Sequence, residues 1–330
     1  MTLKYNDVYV KDTATIAGPY EKKGPLKKYF DKTFDDLYFK EDSWEKAEIK
    51  TVEESLKLLH KKVGLKRKEV DVILGGDLLN QISATTYGAY NFSKCFLGLY
   101  GACSTSVEGM ILGSCLIDSK KVKNAIVTIS SHNMAAEKQF RNPTEYGAPK
   151  PLSATFTATG SASILLTKEK TDVKVESSTI GQIIDFGQND PNDMGKVMAP
   201  AAIDTIKRHL KDLNRTPEYY DLIVTGDLGL YGKEILKDYM QEEYNLDLSK
   251  NYNDCGIMLY DLKKQEECLA GGSGPVCSAL VAFGYIYHEM KKKNLKKVLI
   301  VATGALFSPT MVYQKENIYS IANAISLEVV

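Results

Sequence analysis

An internal repeat is the feature that most constrains this fold. The run Asp71-Val72-Ile73-Leu74-Gly75-Gly76-Asp77-Leu78 returns 150 positions later as Asp221-Leu222-Ile223-Val224-Thr225-Gly226-Asp227-Leu228. Each run is short, apolar and closed by glycine, which is typical of a strand buried on both faces. Each also follows an amphipathic stretch that predicts a helix, so we interpret the chain as a duplication.

Later segments recur in the same order. In the first copy these are Cys103 at a predicted helix start, then strands at 124–133 and 161–166. The second copy has the loop Gly271-Gly272-Ser273-Gly274 before a predicted helix at 276–291, then strands at 297–304 and 325–330. Strands that alternate with helices favour parallel sheets covered on both faces. The sequence therefore predicts an α/β fold of two duplicated halves, 1–170 and 171–330, with one sheet in each.

The first 43 residues hold a strand candidate at Val8–Ile16 and several Gly-Pro turns, and we expect them to form an arm lying on the domain. Ser43 is a good N-cap for a helix that starts at Trp44 and stops near Gly64. In the second copy, the equivalent helix is predicted from about Ala201 to Leu213.

The segment Gly101-Ala102-Cys103-Ser104 has the features of a nucleophile site, a small-residue turn between a strand and a helix. Unpaired N–H groups at a helix start favour a thiolate, so we expect the pKa of Cys103 to be lowered. Three interpretations stay open: a reactive thiolate, a residue that contacts a ligand, and an inert buried thiol.

Further polar candidates follow strand ends or precede a helix. His132 ends a predicted strand, where ligands of parallel sheets usually bind, but it could equally be a histidine that hydrogen-bonds the backbone. Arg141 could bind a carboxylate or be an ordinary surface arginine. We expect Asp77 to order its own loop, and the role of Asp227 stays open. The 271–274 loop could bind an anion through its N–H groups or simply allow close helix packing.

Composition excludes several classes of function. Lys plus Arg equals Asp plus Glu at 42 each, so no global charge favours a nucleic-acid partner. The six cysteines and four histidines show no metal-ligand spacing, and we expect reduced thiols, no metal site and no cofactor. We also expect neither a signal peptide nor a transmembrane segment.

These features resemble the thiolase superfamily, which implies a thiolase-like five-layer αβαβα fold with the cysteine elbow in the first half. A second resemblance, to the AD family of the stage V sporulation SpoVA group of spore-forming Firmicutes, covers nearly the whole chain. The segments that carry it include Gly76-Asp77-Leu78-Leu79-Asn80-Gln81, Gly101-Ala102-Cys103-Ser104-Thr105-Ser106, Ser130-Ser131-His132-Asn133, Pro143-Thr144-Glu145-Tyr146-Gly147 and Ala270-Gly271-Gly272-Ser273-Gly274.

The second resemblance implies a protein of germination-competent spores that binds dipicolinic acid (pyridine-2,6-dicarboxylic acid) or its calcium chelate. It further implies uptake of dipicolinate with membrane-embedded SpoVA partners, a location in the forespore or spore peripheral to the inner spore membrane, and a homodimer as one option. The expected ligand-binding residues are Cys103, Ser104, His132, Asn133, Arg141, Asp227, Gly272 and Ser273.

The sequence departs from the superfamily's enzymes at two positions. Condensing enzymes pair the cysteine with a histidine and an asparagine of the second half, whose places are taken here by Gly226 or Asp227 and by Gly272. Glycine cannot do that chemistry, and a carboxylate would repel a developing oxyanion. We therefore expect a pseudoenzyme, with acyl transfer through Cys103 and a ligand-free docking scaffold as alternatives.

Overall fold

A computed structural model describes residues 1–92, 95–140 and 150–330. The strands are β1 (Thr2–Lys4), β2 (Tyr9–Ala17), β3 (Lys32–Thr33), β4 (Val72–Gly76), β5 (Phe96–Gly98), β6 (Asn124–Ser131), β7 (Phe156–Thr157), β8 (Gly160–Thr167), β9 (Val173–Thr179), β10 (Leu222–Thr225), β11 (Tyr252–Asp254), β12 (Gly272–Ser273), β13 (Lys297–Ala305) and β14 (Ser320–Val329). The helices are α1 (Trp44–Val63), α2 (Ser83–Ala89), α3 (Thr105–Asp118), α4 (Asn133–Phe140), α5 (Met194–Leu213), α6 (Gly229–Tyr244), α7 (Cys255–Leu259), α8 (Pro275–Leu280), α9 (Tyr287–Lys291) and α10 (Pro309–Tyr313).

The strand order is the same in the two halves. Read outward from the middle of the sheet, it is β9-β14-β13-β10-β11 in the second half and β2-β8-β6-β4-β5 in the first, so strands at the same place in these two orders are counterparts. In both halves the first pair of the repeat is parallel, β4 with β6 and β10 with β13. The duplication read from the sequence is therefore present in the topology.

The expectation of two separate sheets is corrected by a short ladder at the junction. Strand β2 pairs with β9 through Tyr9↔Lys174 and Val10↔Val173, and this joins the two arrays into one hydrogen-bonded sheet. The β2 strand bulges between Val10 and Asp12, which increases the local twist and lets the arrays diverge. Residue 170 lies in the turn just before β9, and the division into two domains at that point stays a prediction.

The helices complete five layers. Helix α1 packs on β2, β6 and β8, and helix α5 on β13 and β14, so these two helices cover the outer faces. Helices α3 and α8 pack on each other between the arrays, and each contacts strands of both halves. The central core joins the two halves, while smaller cores lie under α1 and under the α5–α6 pair. This is the thiolase-like fold expected from the sequence.

Capping explains where the outer helices begin and end. Ser43 accepts a hydrogen bond from Lys46 N, and Gly64 ends α1 in the left-handed conformation, as predicted. Helix α5 is longer than predicted, since it begins at Met194 after the N-cap Asp193 and continues through Pro200. The small buried residues around Pro200 pack against the sheet, and this packing outweighs the missing helical hydrogen bond.

None of the helices in the described segments is long and apolar enough to cross a membrane. Nor do these segments hold a group of three His, Cys, Asp or Glu side chains placed to ligate a metal ion.

Candidate ligand-binding site

The cysteine elbow is held against both halves of the molecule. Ala102 has a φ of 50°, a left-handed conformation that turns the chain sharply before α3. The elbow approaches β13 so closely that a Cβ on Gly304 would lie 2.5 Å from the carbonyl oxygen of Gly101. Ser104 donates from Oγ to that same carbonyl at 2.7 Å and is fully buried. Ser104 therefore braces the turn, and its predicted contact with a ligand stays untested.

Asp227 reaches the elbow from the second half. Its Oδ1 accepts from Thr303 Oγ1 at 2.7 Å, and its Oδ2 accepts from Gly274 N at 3.1 Å and from Ser273 Oγ at 3.4 Å. Asp227 also lies close enough to the Cys103 thiol for the two groups to influence each other's pKa. Burial raises the pKa of Asp227 to about 7, against the hydrogen bonds that favour its charged form.

The predicted lowering of the Cys103 pKa is wrong. Burial first, and then the nearby charge of Asp227, raise the pKa of the thiol well above its ordinary value, although the polar groups of Gly274 and Ser273 act to lower it. The N–H groups of the elbow do not compensate for burial and for the nearby carboxyl group of Asp227. Cys103 is therefore a neutral thiol, and none of the six cysteines, all of which the structure describes, is in a disulfide.

Asp77 occupies the equivalent position in the first half but does a different task. Its Oδ1 accepts from Leu79 N at 2.8 Å, and its Oδ2 accepts from both the N and the Oγ1 of Thr85 at 2.8 Å. Asp77 thus orders its own loop, in agreement with the interpretation favoured from the sequence. In the second half Asp254 orders the corresponding loop, accepting from Leu228 N and Gly229 N.

His132 is held by the backbone of the first half. Its Nε2–H donates to Leu37 O at 2.7 Å, and its Nδ1 accepts from Ala135 N at 3.4 Å. Burial lowers its pKa to about 4, so the ring is neutral. Asn133 likewise donates to Thr157 O at 3.3 Å. Both side chains have structural partners, and Arg141 lies outside the described residues.

The glycine-rich loop is tightly packed. Gly274 N donates to Asp227 and Gly271 N donates to Cys268 O at 2.9 Å, so these two N–H groups already have protein acceptors. A Cβ on Gly272 would lie 2.9 Å from Cys277 Sγ and 3.0 Å from Tyr260 Cε2. This geometry favours close packing over an anion cradle at the 271–274 loop.

Gly226 is enclosed in the same way. A Cβ there would lie 2.9 Å from Thr303 N and 3.0 Å from Thr303 Oγ1. A histidine at this position would therefore have to displace the end of β13, and an asparagine at Gly272 would have to displace α8. Gly226 and Gly272, two of the positions that the resemblance assigns to the histidine and the asparagine of condensing enzymes, therefore have no room for those side chains.

A cavity of about 560 Å³, its opening included, lies between the halves in front of Cys103. Its wall is mainly apolar and is formed by Leu78, Tyr100, Ala102, Cys103, Ala136, Glu137, Phe140, Thr157, Met194, Met198, Ser273, Ala305 and Phe307. Phe140 and Phe307, one from each half, bring their ring centroids within 5.7 Å of each other. Glu137 pairs with Lys150 at 2.9 Å.

The cavity contains only part of the predicted site. Cys103 and Ser273 line it, while Asp227 lies directly behind them and Ser104, His132, Asn133 and Gly272 are packed elsewhere. Sequence analysis missed Tyr100, Glu137 and Thr303. Of these, only Thr303 had a signal in the sequence, because the duplication makes it the counterpart of Ser130 near the end of a predicted strand.

Comparison with known proteins gives a family and a fold. A family described as stage V sporulation protein AD matches residues 1–328. The stage V sporulation protein AD of Bacillus subtilis (strain 168) is 44% identical over 321 residues, which cover 97% of this chain and 94% of that protein.

Solved structures of condensing enzymes share the fold at low sequence identity. The 3-oxoacyl-(acyl-carrier-protein) synthase III of Aquifex aeolicus superposes with a TM-score of 0.57 at 13% identity, covering 97% of this chain and 99% of that chain. A variant of OleA from Xanthomonas campestris superposes with a TM-score of 0.63 at 12% identity, covering 99% of both chains.

Proposed function

Because the chain belongs to the stage V sporulation protein AD family, we propose that it is a non-catalytic protein that binds dipicolinic acid or its calcium chelate. In this proposal the cavity beside Cys103 holds the ligand while dipicolinate is taken up into the developing spore. Membrane-embedded SpoVA proteins are the partners, and the protein lies peripheral to the inner spore membrane.

The surroundings of the Cys103 thiol support the proposal that the protein is non-catalytic. Acyl transfer needs a thiolate and donors aimed at a developing oxyanion. Here the carboxyl group of Asp227, from the second half, lies near the sulfur, and burial together with its charge keeps the thiol neutral. Gly226 and Gly272 leave no room to restore the missing side chains.

The lining of the cavity supports a small planar ligand. Its wall is mainly apolar and carries a few polar groups, which is the usual lining of small-molecule sites. Phe140 and Phe307 offer ring faces from opposite halves, and Met194 and Met198 add flexible apolar surface. Cys103 and Ser273 supply polar groups at one wall, so an aromatic ring with polar substituents suits this lining.

The charges near the cavity restrict the form in which the ligand binds. Asp227 and Glu137 are both acidic, so a bare dianion would be repelled. Lys150 offsets Glu137, and Asp227 retains its proton below a pH of about 7. A partly protonated ligand or a calcium chelate, in which the ligand's charge is already offset, therefore fits better than the free dianion.

Isothermal titration with dipicolinate, with and without calcium, tests the proposal. We expect saturable binding that is stronger with calcium, and weaker binding by roughly tenfold in Cys103→Ala, which loses one polar contact and some wall surface. Cys95→Ala is the matched control, since Cys95 is exposed and lies outside the cavity wall. Absence of saturable heat at millimolar ligand under both conditions would overturn the binding role.

Two further measurements separate the alternatives. A covalent adduct in intact mass spectra after incubation with acyl-coenzyme A thioesters, lost in Cys103→Ala, would establish acyl transfer instead. If cavity variants left the dipicolinate content of spores unchanged while surface variants lowered it, the protein would be a docking scaffold.

A further inference from the structure

Lysines are concentrated at the end of the molecule opposite the cavity. The cavity and the elbow lie at the carboxyl ends of the parallel strands, whereas three lysine-rich turns lie at the amino ends of β6, β9 and β13. We call their lysines the lysine row: Lys120, Lys121, Lys123, Lys168, Lys170, Lys291, Lys292, Lys293, Lys296 and Lys297. All are exposed except Lys297, which is half-buried.

Backbone and side-chain contacts make the row continuous. Lys168 N donates to Lys123 O at 3.1 Å, which places the turn before β9 beside the turn before β6. Asp172, in that same turn, pairs with Lys291, and its carbonyl oxygen accepts from Val330 N at 2.9 Å. Val329 N donates to Lys296 O at 2.8 Å, which connects the turn before β13. The three turns therefore form one surface that spans both halves.

The duplication has kept this surface in both copies. Lys120 and Lys293 occupy equivalent positions, and both have a left-handed backbone, with φ of 62° and 63°. The turns are held by equivalent aspartates, since Asp71 Oδ2 accepts from Lys123 N at 2.7 Å and Asp221 Oδ2 accepts from Lys296 N at 2.7 Å. Each turn is thus rigidly held while its lysine side chains extend into solvent.

The row is a net positive surface on a chain of zero net charge. Within the turns, the acidic groups Glu169 and Asp172 each pair with one lysine, Lys11 and Lys291. Glu289 lies 3.5 Å from Lys292, and Asp71 and Asp221 hold the turns, so the ten lysines of the row still outnumber these acidic groups. The row is therefore a surface of net positive charge opposite the cavity.

From this arrangement we infer that the lysine row is a docking surface for an anionic phospholipid bilayer. The three turns contain lysines and no arginine or aromatic residue. Nucleic-acid sites usually add stacking side chains to their basic groups, whereas lysines alone attract lipid headgroups as point charges. The inference rests on the proposed function for its membrane setting, and in this orientation the cavity opens away from the lipid.

Flotation of the full chain with vesicles tests the inference. We expect binding to vesicles that contain phosphatidylglycerol, little binding to pure phosphatidylcholine, and release by high salt. Each lysine near the headgroups strengthens binding roughly fivefold, so replacing Lys291, Lys292 and Lys293 by Gln should weaken it about a hundredfold. The corresponding triple Lys→Arg variant keeps the charge and should bind as the wild type does.

A second triple variant controls for net charge. Lys40, Lys46 and Lys138 are exposed lysines near the carboxyl ends of the strands, and their replacement by Gln should leave vesicle binding unchanged. Equal weakening by the two Gln triples would overturn the inference, as would binding that needs no phosphatidylglycerol. Binding to duplex DNA but not to vesicles, lost in the Lys291 to Lys293 variant, would identify a polyanion instead. Dipicolinate titration of the same variants should be unchanged, which separates this inference from the proposed function.

Discussion

The two halves share a scaffold and differ where their strands end. Equivalent aspartates, Asp71 and Asp221, hold equivalent turns at one end of the sheet. At the other end the counterparts Asp77 and Asp227 differ, because Asp77 orders its own loop and Asp227 is held by Thr303 and Gly274 near Cys103. The two copies of a duplicated fold can thus share the same framework while the thiol of one copy and the carboxyl group of the other lie near each other in one place.

The largest expected effect concerns these two aspartates. A raised folded-state pKa means that Asp227 contributes stability below its ordinary value of 3.8 and loses it as the pH rises through about 7. Between about pH 4 and about pH 8, the free energy of unfolding of the wild type should therefore fall by roughly 4 kcal/mol more than that of Asp227→Asn. Urea titrations at a series of pH values measure this difference.

The first-half counterpart sharpens this test. Asp77→Asn should destabilise the protein by about 2 kcal/mol, because Leu79 N and Thr85 lose a charged acceptor. Burial also raises the pKa of Asp77, so this variant should lose some of the pH dependence, but less than Asp227→Asn does. If Asp77→Asn flattened the pH dependence as much as Asp227→Asn did, the contrast between the two aspartates would be refuted.

The next effect concerns the residues at the ends of β6 and β13. Gly304→Ala should cost about 3 kcal/mol, since its Cβ would lie 2.5 Å from Gly101 O in the elbow. Its counterpart Ser131 donates to Ala158 O at 2.7 Å, and Ser131→Ala should cost only about 1 kcal/mol. Chemical denaturation measures both, and equal losses would mean that the elbow is not held by β13.

His132 and Ala305 also occupy equivalent positions, and only Ala305 lines the cavity. His132→Ala should lower the free energy of unfolding by about 2 kcal/mol through the lost bond to Leu37 while leaving dipicolinate affinity unchanged. Ala305→Leu, which fills part of the cavity, should weaken binding with a smaller loss of stability. A His132→Ala variant that folds but fails to bind would restore His132 as a ligand-contacting residue.

The smallest effect is on thiol reactivity. At about pH 8, iodoacetamide should modify Cys103 at least roughly tenfold more slowly than the exposed Cys95, because a raised pKa leaves little thiolate. Asp227→Asn should accelerate the reaction at Cys103 and leave that at Cys95 unchanged. Peptide mass spectrometry reports both rates, and a Cys103 that outpaced Cys95 would restore the reactive-thiolate interpretation.

Much of the fold could be predicted because its signals are local. Apolar runs closed by glycine predicted β4 and β10, and Ser43 and Gly64 predicted the ends of α1. The start of α5 was predicted too late, because the local penalty at Pro200 is overridden by packing on the sheet. Residue types at the site were also readable, since the sequence placed Cys103 in a small-residue turn before a helix, and that turn is present in the structure.

What the sequence by itself determined is the duplication, the place of the elbow and the identity of Asp227 and the glycines opposite it. Which way Asp227 points was decided only in the tertiary structure, because the repeat surrounds Asp77 and Asp227 with nearly the same neighbours. The side chain of Asp227 is held by Thr303 and Gly274, which are 76 and 47 residues away. The pKa of Cys103 depends on that same contact, since burial and a nearby carboxyl group are properties of packing rather than of local sequence.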